Sequence, residues 1–147
     1  MQLSLQAVLL NVSNLTRSIE FYRDVFEFRL TSRDEGVAAL MIDETNRRQV
    51  LILRELGPHP ALHAGRGSIG PRLLALEAGS LDELDAIEHR LTERKAFIGR
   101  RRTEDWTAIV GADPDRIEIS VSSSLSGGPI QTEHWDHVDQ MVYEVGE

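Results

Sequence analysis

Residues 11–26, Asn-Val-Ser-Asn-Leu-Thr-Arg-Ser-Ile-Glu-Phe-Tyr-Arg-Asp-Val-Phe, decide the fold, because they read as the end of a strand followed by a capped helix. Asn14 is a typical N-cap, since its side-chain oxygen accepts a hydrogen bond from a free backbone N–H group of the first helical turn. The apolar residues after it are spaced four, three and four positions apart, which places them on one helix face: Leu15, Ile19, Tyr22 and Phe26. The stretch therefore predicts a strand over 5–12 and an amphipathic helix over 15–26.

Composition restricts the classes of protein to which this chain can belong. Its 147 residues are 41% hydrophobic and 27% charged, which is typical of one globular domain with its own core. The formal net charge of −8 argues against a nucleic-acid partner, which requires a basic surface. No apolar run approaches the ~20 residues that span a membrane, and the first basic residue is Arg17, unlike the charged start of a signal peptide. Because the chain also has no Cys for disulfides or thiolate sites, we expect a cytoplasmic protein with no membrane or nucleic-acid partner.

The order strand-helix-strand-strand-strand occurs twice along the chain. After the first helix, runs of strand-forming residues between turn signals predict three strands: 28–33, 37–42 and 49–55. A Gly- and Pro-rich linker over 57–71 follows. The same order then returns as a strand, a helix and three strands: 73–78, 81–94, 97–103, 106–111 and 117–122. Ser80 and Glu83 form a capping box at the start of the second helix. We predict two modules, at about 5–56 and 72–122.

These modules contain two short motifs. Ser18, Phe21 and Tyr22 form Ser-x-x-Phe-Tyr on the first helix, and residues 113–119 read Asp-Pro-Asp-Arg-Ile-Glu-Ile. In this order and spacing they resemble the vicinal-oxygen-chelate superfamily of glyoxalases, bleomycin-resistance proteins and extradiol dioxygenases. The ending of that superfamily is Asp-Pro-Asp-Gly-Asn-x-x-Glu-Leu, and this chain lacks the Gly-Asn pair. The resemblance covers 5–122. It implies an α+β fold of two βαβββ modules, whose curved mixed sheets enclose a cavity that is often completed across a homodimer.

The same resemblance implies where a metal ion would bind. Metal-dependent members carry a His on the first strand of a module, seven residues before the helix cap, and a Glu on the last strand. These positions hold Ala7 and Leu73, and only Glu118 matches the ligand pattern. Aliphatic side chains do not coordinate metal ions, and one carboxylate does not hold a catalytic divalent ion. We therefore expect no cofactor. The alternative is a divalent metal bound by Glu118 with His134 and His137, a set of two His and one carboxylate.

A ligand cavity is expected on one face of the strands. Strand alternation places Glu118 and Ser120 on the side opposite to Ile119. Glu118 is the candidate catalytic residue, as a general base, or the partner of a cationic group on the ligand; a solvent-exposed carboxylate on an open sheet is the other interpretation. The predicted ligand-binding residues form a mostly apolar set with a few polar groups: Asn11, Leu51, Leu53, Leu73, Glu77, Trp106, Glu118 and Ser120.

The C-terminal extension over 123–147 lies beyond the predicted single domain over 1–122. It is rich in apolar and aromatic residues, among them Trp135, Val138 and Met141. Exposed apolar clusters mark interaction surfaces, so we expect the extension to dock on its own chain or on a dimer mate.

Three functions remain open from the sequence. The first is a protein that binds a small organic molecule in an apolar cavity without the usual metal site. The second is an enzyme, a lyase or an oxidoreductase of the glyoxalase or dioxygenase type, that uses Glu118 with unexpected metal ligands. The third is a non-catalytic interaction module in which the cavity has become core. The missing histidines and the acidic composition favour the first.

Overall fold

The structure, a computed structural model, describes residues 1–43, 45, 49–57, 69–124 and 131–145, the last four by their backbone alone. The chain divides into two compact units, Met1–Leu62 and His63–Glu147. The predicted linker lies for the most part outside the described residues. Within them, no helix is both long enough and apolar enough to cross a membrane.

The first unit has the predicted order of one helix and a mixed sheet. Its elements are β1 (Ala7–Val12), α1 (Leu15–Phe26), β2 (Arg29–Asp34), β3 (Val37–Met41) and β4 (Val50–Glu55). The strands lie in the order β1-β4-β3-β2, and β1 pairs with β4 in parallel while the other neighbours are antiparallel. The predicted βαβββ module is confirmed in this unit.

Helix α1 begins and ends as its sequence requires. The Oδ1 atom of Asn14 accepts a hydrogen bond from the Arg17 N–H at 3.0 Å, and Glu55 Oε1 accepts one from the Leu15 N–H at 2.8 Å. The helix ends at Glu27, whose φ of 60° is left-handed. Tyr22 is fully buried among the rings of Phe21, Phe26 and Phe28, at centroid distances of 5.2, 6.0 and 6.1 Å.

The second unit repeats the module and adds a helix. Its elements are β5 (Leu74–Glu77), α2 (Leu81–Glu93), β6 (Phe97–Arg102), β7 (Trp106–Ala112), β8 (Glu118–Ser124) and α3 (Thr132–Val145). The sheet order is β5-β8-β7-β6, with β5 and β8 parallel. The Ser80 Oγ atom accepts from the Glu83 N–H at 3.1 Å, and Glu83 Oε2 accepts from the Gly79 N–H at 2.7 Å, so the predicted cap is present.

Helix α2 lies on one face of the second sheet. A Cβ atom added at Gly111 of β7 would lie 2.8 Å from Leu91 Cδ2, so the absence of a side chain there lets the helix approach the strand. At the edge of the same face, Arg100 donates to Glu88 Oε1 at 2.6 Å and to Asp85 Oδ1 at 2.9 Å. The hydrogen bond to Glu88 raises the pKa of the Arg100 guanidinium above its usual value.

The turn before β8 lacks the Gly-Asn pair of the superfamily pattern. Asp113 is buried, and its Oδ1 atom accepts hydrogen bonds from the N–H groups of Asp115 and Ile117, each at 2.8 Å. Arg116 has a φ of 67° where the superfamily pattern has Gly. A left-handed backbone costs a residue with a Cβ roughly 1–2 kcal/mol, a strain that Gly avoids. The buried Asp113 carboxylate holds the turn closed in spite of this strain.

Candidate functional site

Strand register defines a second face on each sheet, which we call the distal face because α1 or α2 packs on the other side. In the first unit it carries two rows of side chains on β1 and β4: Ala7, Leu9, Asn11, Val50, Ile52 and Arg54. Asn11, one of the predicted ligand-binding residues, is exposed there.

Leu51 and Leu53 do not lie on the distal face. The parallel register pairs them with Val8 and Leu10, and both leucines are fully buried. Placing them with Asn11 was wrong, because a shift of one residue in register moves every side chain of a strand to the opposite face. They belong to the core of the first unit.

The distal face of the second sheet brings together five of the predicted residues. The β7–β8 register pairs Trp106 with Ser124, Val110 with Ser120 and Ala112 with Glu118, and β5 places Glu77 beside Ser122 on the same side. The five are Leu73, Glu77, Trp106, Glu118 and Ser120. Trp106 and Ser120 are buried, Leu73 and Glu118 are partly buried, and Glu77 is exposed.

Helix α3 covers much of this face. Val138 and Met141 are buried against Trp106, Ala108 and Val110, and partly buried residues surround this cluster: Leu73, Ile98 and Trp135. On β7 the helix packs against Ala108 and Val110, whereas Leu91 of α2 lies at Gly111, so the two helices lie on opposite sides of the sheet. Trp106 and Leu73, which the sequence assigned to a cavity, therefore pack in a core with a helix of the same unit.

Two histidines of α3 lie on Trp106. The His134 ring stacks on the indole at a centroid distance of 4.8 Å and an interplanar angle of 15°, and the His137 ring lies at 6.4 Å and 39°. His134 Nδ1 accepts a hydrogen bond from the Gln131 N–H at 3.1 Å, which orients the ring. Trp106, one of the predicted ligand-binding residues, thus has two flat rings against it.

Glu118 pairs with an arginine that the sequence analysis did not identify. Arg72 Nη1 donates to Glu118 Oε2 at 2.8 Å, and Arg72 Nη2 donates to Asp139 Oδ1 of α3 at 3.3 Å. The side chains of Arg72, Glu118 and Asp139 are 21%, 16% and 33% exposed. One guanidinium therefore connects the sheet to the helix through two carboxylates. Its only sequence signal is a basic residue next to the first strand of the module.

The three proposed metal ligands are not brought together within one chain. Both histidines lie at Trp106, which pairs with the last residue of β8, whereas Glu118 is the first residue of that strand. Among the residues that the structure describes, no group of three His, Asp or Glu side chains could hold a metal ion.

The positions implied by the superfamily also do not fit a metal ion. In the first unit, Ala7 pairs across the strands with Val50, so this position offers two aliphatic side chains. In the second unit, Leu73 lies level with Glu118, because each directly precedes the paired residues Leu74 and Ile119. Leu73 is aliphatic and the Glu118 carboxylate already binds Arg72, so neither unit offers a set of metal ligands at these positions.

A protein-family model matches most of this chain. The model is described as "Glyoxalase/Bleomycin resistance protein/Dioxygenase superfamily" and matches residues 4–121. A comparison with curated protein sequences gives no match.

Solved structures of similar fold come from several bacteria. A glyoxylase/bleomycin resistance protein/dioxygenase domain from Frankia sp. EAN1pec has a TM-score of 0.72 at 19% identity, covering 84% of this chain and 99% of that one. Lactoylglutathione lyase from Agrobacterium tumefaciens gives 0.64 at 19%, with 86% and 97% covered. A glyoxalase/bleomycin resistance protein/dioxygenase from Nocardioides gives 0.61 at 23%, with 89% and 90% covered. At these identities the similarity is one of fold.

Proposed function

Because the chain belongs to the Glyoxalase/Bleomycin resistance protein/Dioxygenase superfamily, we propose that it binds a small organic molecule without a metal ion. The ligand lies on the distal face of the second sheet, where five of the predicted residues meet. The observation that carries this proposal is the ion pair between Arg72 and Glu118 at 2.8 Å.

The ion pair supports metal-free binding on electrostatic grounds. Glu118 is the one residue that matches the metal-ligand pattern, and the Arg72 guanidinium supplies a positive charge beside it. A metal ion would have to displace this guanidinium, and the position beside it where the superfamily has a ligand holds the aliphatic Leu73. Arg72 also takes the place that we expected a cationic ligand group to occupy, so the pairing favours a ligand with a different charge.

The remainder of this face has the character of a small-molecule site. Such sites are mostly apolar, with a few polar groups that fix orientation. Here the apolar surface comes from Trp106, Ala108 and Val110, and the polar groups are Ser120 and the Arg72–Glu118 pair. These residues are contributed by β7, by β8 and, for Arg72, by the segment directly before β5.

Protein purified without chelator is expected to contain well below one equivalent of Fe, Mn, Ni or Zn. Elemental analysis of wild type and Glu118→Ala measures this directly, and both should give the same low value. His134→Ala serves as the control for the alternative triad. Stoichiometric metal that disappears in Glu118→Ala would overturn the proposal and support the enzyme with unexpected ligands. Native mass spectrometry of the same sample should show an added organic mass that is lost on denaturation.

A second candidate function is supported by the packing of α3. The buried contacts of Val138 and Met141 with Trp106 are those of a core, as expected for a non-catalytic interaction module. The two candidates differ in whether α3 can be replaced by a ligand, and that difference can be measured.

The proposal includes a homodimer. The distal face of the first sheet leaves Leu9 53% and Val37 39% exposed, and Leu3 and Leu5 near the N-terminus are exposed as well. Apolar residues clustered on a surface favour association with another protein surface. Sedimentation equilibrium at micromolar concentration should give twice the chain mass of 16.5 kDa. Leu9→Asp should shift the protein to the monomer, whereas Leu81→Asp, an exposed leucine on α2, should not; a monomeric wild type would contradict the dimer.

A further inference from the structure

We propose that α3 is a built-in competitor for the ligand of the second sheet, and that its contacts identify this ligand as an aromatic acid. The inference rests on the proposed binding function and goes further, because it names the chemical class and the step that must precede binding. It is drawn from three contacts of α3, at Trp106, at the apolar strand residues and at Arg72.

The first contact is a stack of flat rings. The His134 imidazole lies nearly parallel to the Trp106 indole, at 4.8 Å and 15°. Trp106 is buried mainly by α3, since Trp135 and Val138 belong to the same cluster. An indole presented in this way stacks on other planar rings, because offset parallel stacking depends on shape and not on one particular partner. Where α3 moves away, Trp106 offers the same surface to a ligand ring.

The second contact is apolar. Met141 lies against β6, where a Cβ atom added at Gly99 would be 3.6 Å from Met141 Cβ. Val138 belongs to one buried cluster with Ala108 and Val110. These strand residues form an apolar surface next to Trp106, of the kind that binds the body of an aromatic molecule.

The third contact is a carboxylate on a guanidinium. Arg72 is fixed to the sheet by Glu118 at 2.8 Å, and it offers its other terminal nitrogen to Asp139 at 3.3 Å. When α3 leaves, that nitrogen loses Asp139, and a ligand carboxylate can take its place without any change at Glu118. Hydrogen bonds between charged partners are stronger than neutral ones, and arginine binds carboxylates with a defined geometry. The face therefore selects an anion.

The spacing of these contacts sets the size of the ligand. His134 and Asp139 are five positions apart on α3, or about 7.5 Å along the helix axis and about 140° around it. A ligand that replaces both contacts must therefore be longer than about 7.5 Å, which a bicyclic ring with a carboxylate on a short side chain allows. A helix of this length is marginal by itself in water, so its position depends on the contacts that such a ligand would replace.

The test uses three matched probes of one shape: 2-naphthylacetate, the neutral 2-naphthylacetamide and the cationic 2-(2-naphthyl)ethylamine. Binding is measured by naphthalene fluorescence on the full-length protein. Asp139→Asn removes the competing anion, so it should bind 2-naphthylacetate roughly tenfold more tightly than wild type does, since the Arg72 hydrogen bond is charge-assisted. Asp136→Asn makes the same charge change at an exposed position of α3 and should bind as wild type does.

Two further measurements separate competition from simple packing. Addition of 2-naphthylacetate should speed cleavage by a Glu-specific protease after Glu133, because the displaced helix becomes accessible. Asp139→Asn should also prefer the acid to the amide, and Arg72→Gln should remove this preference. If Arg72→Gln does not fold, the preference of Asp139→Asn for 2-naphthylacetate over 2-naphthylacetamide still tests the ligand class.

The possible failures differ from one another. Equal affinity for 2-naphthylacetate in wild type and Asp139→Asn would overturn the competitor role of α3 and leave the binding function standing. Tighter binding of the amine than of the acid would overturn the ligand class. If no probe binds to either protein, both this inference and the proposed function at this face fail, and the interaction module is favoured.

Discussion

Tyr22→Ala is expected to lower the free energy of unfolding by about 3–5 kcal/mol, the usual cost of truncating a large buried aromatic side chain. Tyr22 is fully buried, and its ring lies nearly parallel to that of Phe28, at 6.1 Å and 7°. Phe21 meets it edge-on at 5.2 Å. Removing the ring leaves a cavity that these neighbours cannot fill, and a loss of this size is a large part of the total stability of a typical domain.

Urea denaturation followed by circular dichroism measures this loss. Tyr22→Phe is the matched control, because it keeps the ring and removes only the hydroxyl group, at an expected cost of about 1 kcal/mol or less. If Tyr22→Phe costs as much as Tyr22→Ala, ring packing does not explain the importance of this position.

Helix α1 shows what the sequence could predict well. The predicted helix over 15–26 and its Asn14 cap agree with the structure, from Leu15 to Phe26. These features depend on neighbours within one or two turns, so the local pattern contains the information. The prediction of the buried helix face was less complete. Phe21 is buried although it lies outside the predicted line of apolar residues, and Phe26, which belongs to that line, is only partly buried. The curvature of the surface beneath the helix, which the sequence does not display, decides such positions.

The error at Leu51 and Leu53 has a different origin. Side chains alternate between the two faces of each strand as expected. Which side chains of two neighbouring strands share a face depends on the register between the strands. Strand β1 pairs in parallel with β4, and the paired residues Ala7 and Val50 are 43 positions apart in the sequence. Nothing in either strand fixes this offset, and a change of one residue reverses the assignment.

The sequence predicted the positions of the candidate site residues only where the repeated strand order determines which face of the sheet they share. Leu73, Glu118 and Ser120 were placed on one face by alternation together with the superfamily pattern. The partners that change its chemistry were not, since Arg72 lies 46 positions from Glu118 and 67 from Asp139. Long-range ion pairs leave no local signature. The apolar residues of the extension predicted that it would dock, but not that it would lie on the predicted ligand face.

The two modules therefore differ in what covers their distal faces. In the first, Leu9 remains exposed, and in the second, α3 buries Trp106 and Val110. The two modules have the same topology, but only the sheet that contains Glu118 has an additional helix on its distal face. In the same module Arg72 pairs with both Glu118 and Asp139, so this guanidinium joins the sheet to α3.

Trp106→Ala is expected to lower the free energy of unfolding by about 3–5 kcal/mol and to release α3 from the sheet. Trp106 is 3% exposed, and it is the contact shared by His134, His137 and Val138. Its loss removes the surface on which the first two turns of α3 lie. Urea denaturation gives the stability, and cleavage after Glu133 by a Glu-specific protease reports the release of the helix.

Trp135→Ala is the control for this change, because it removes the same side chain from α3 at a partly buried position. It should cost about 1–2 kcal/mol, in proportion to the smaller apolar area that it buries. Cleavage after Glu133 should rise much more in Trp106→Ala than in this control. If the two variants lose equal stability and are cleaved at equal rates, Trp106 is not the anchor of α3, and the helix is held by Met141 and the Arg72–Asp139 pair instead.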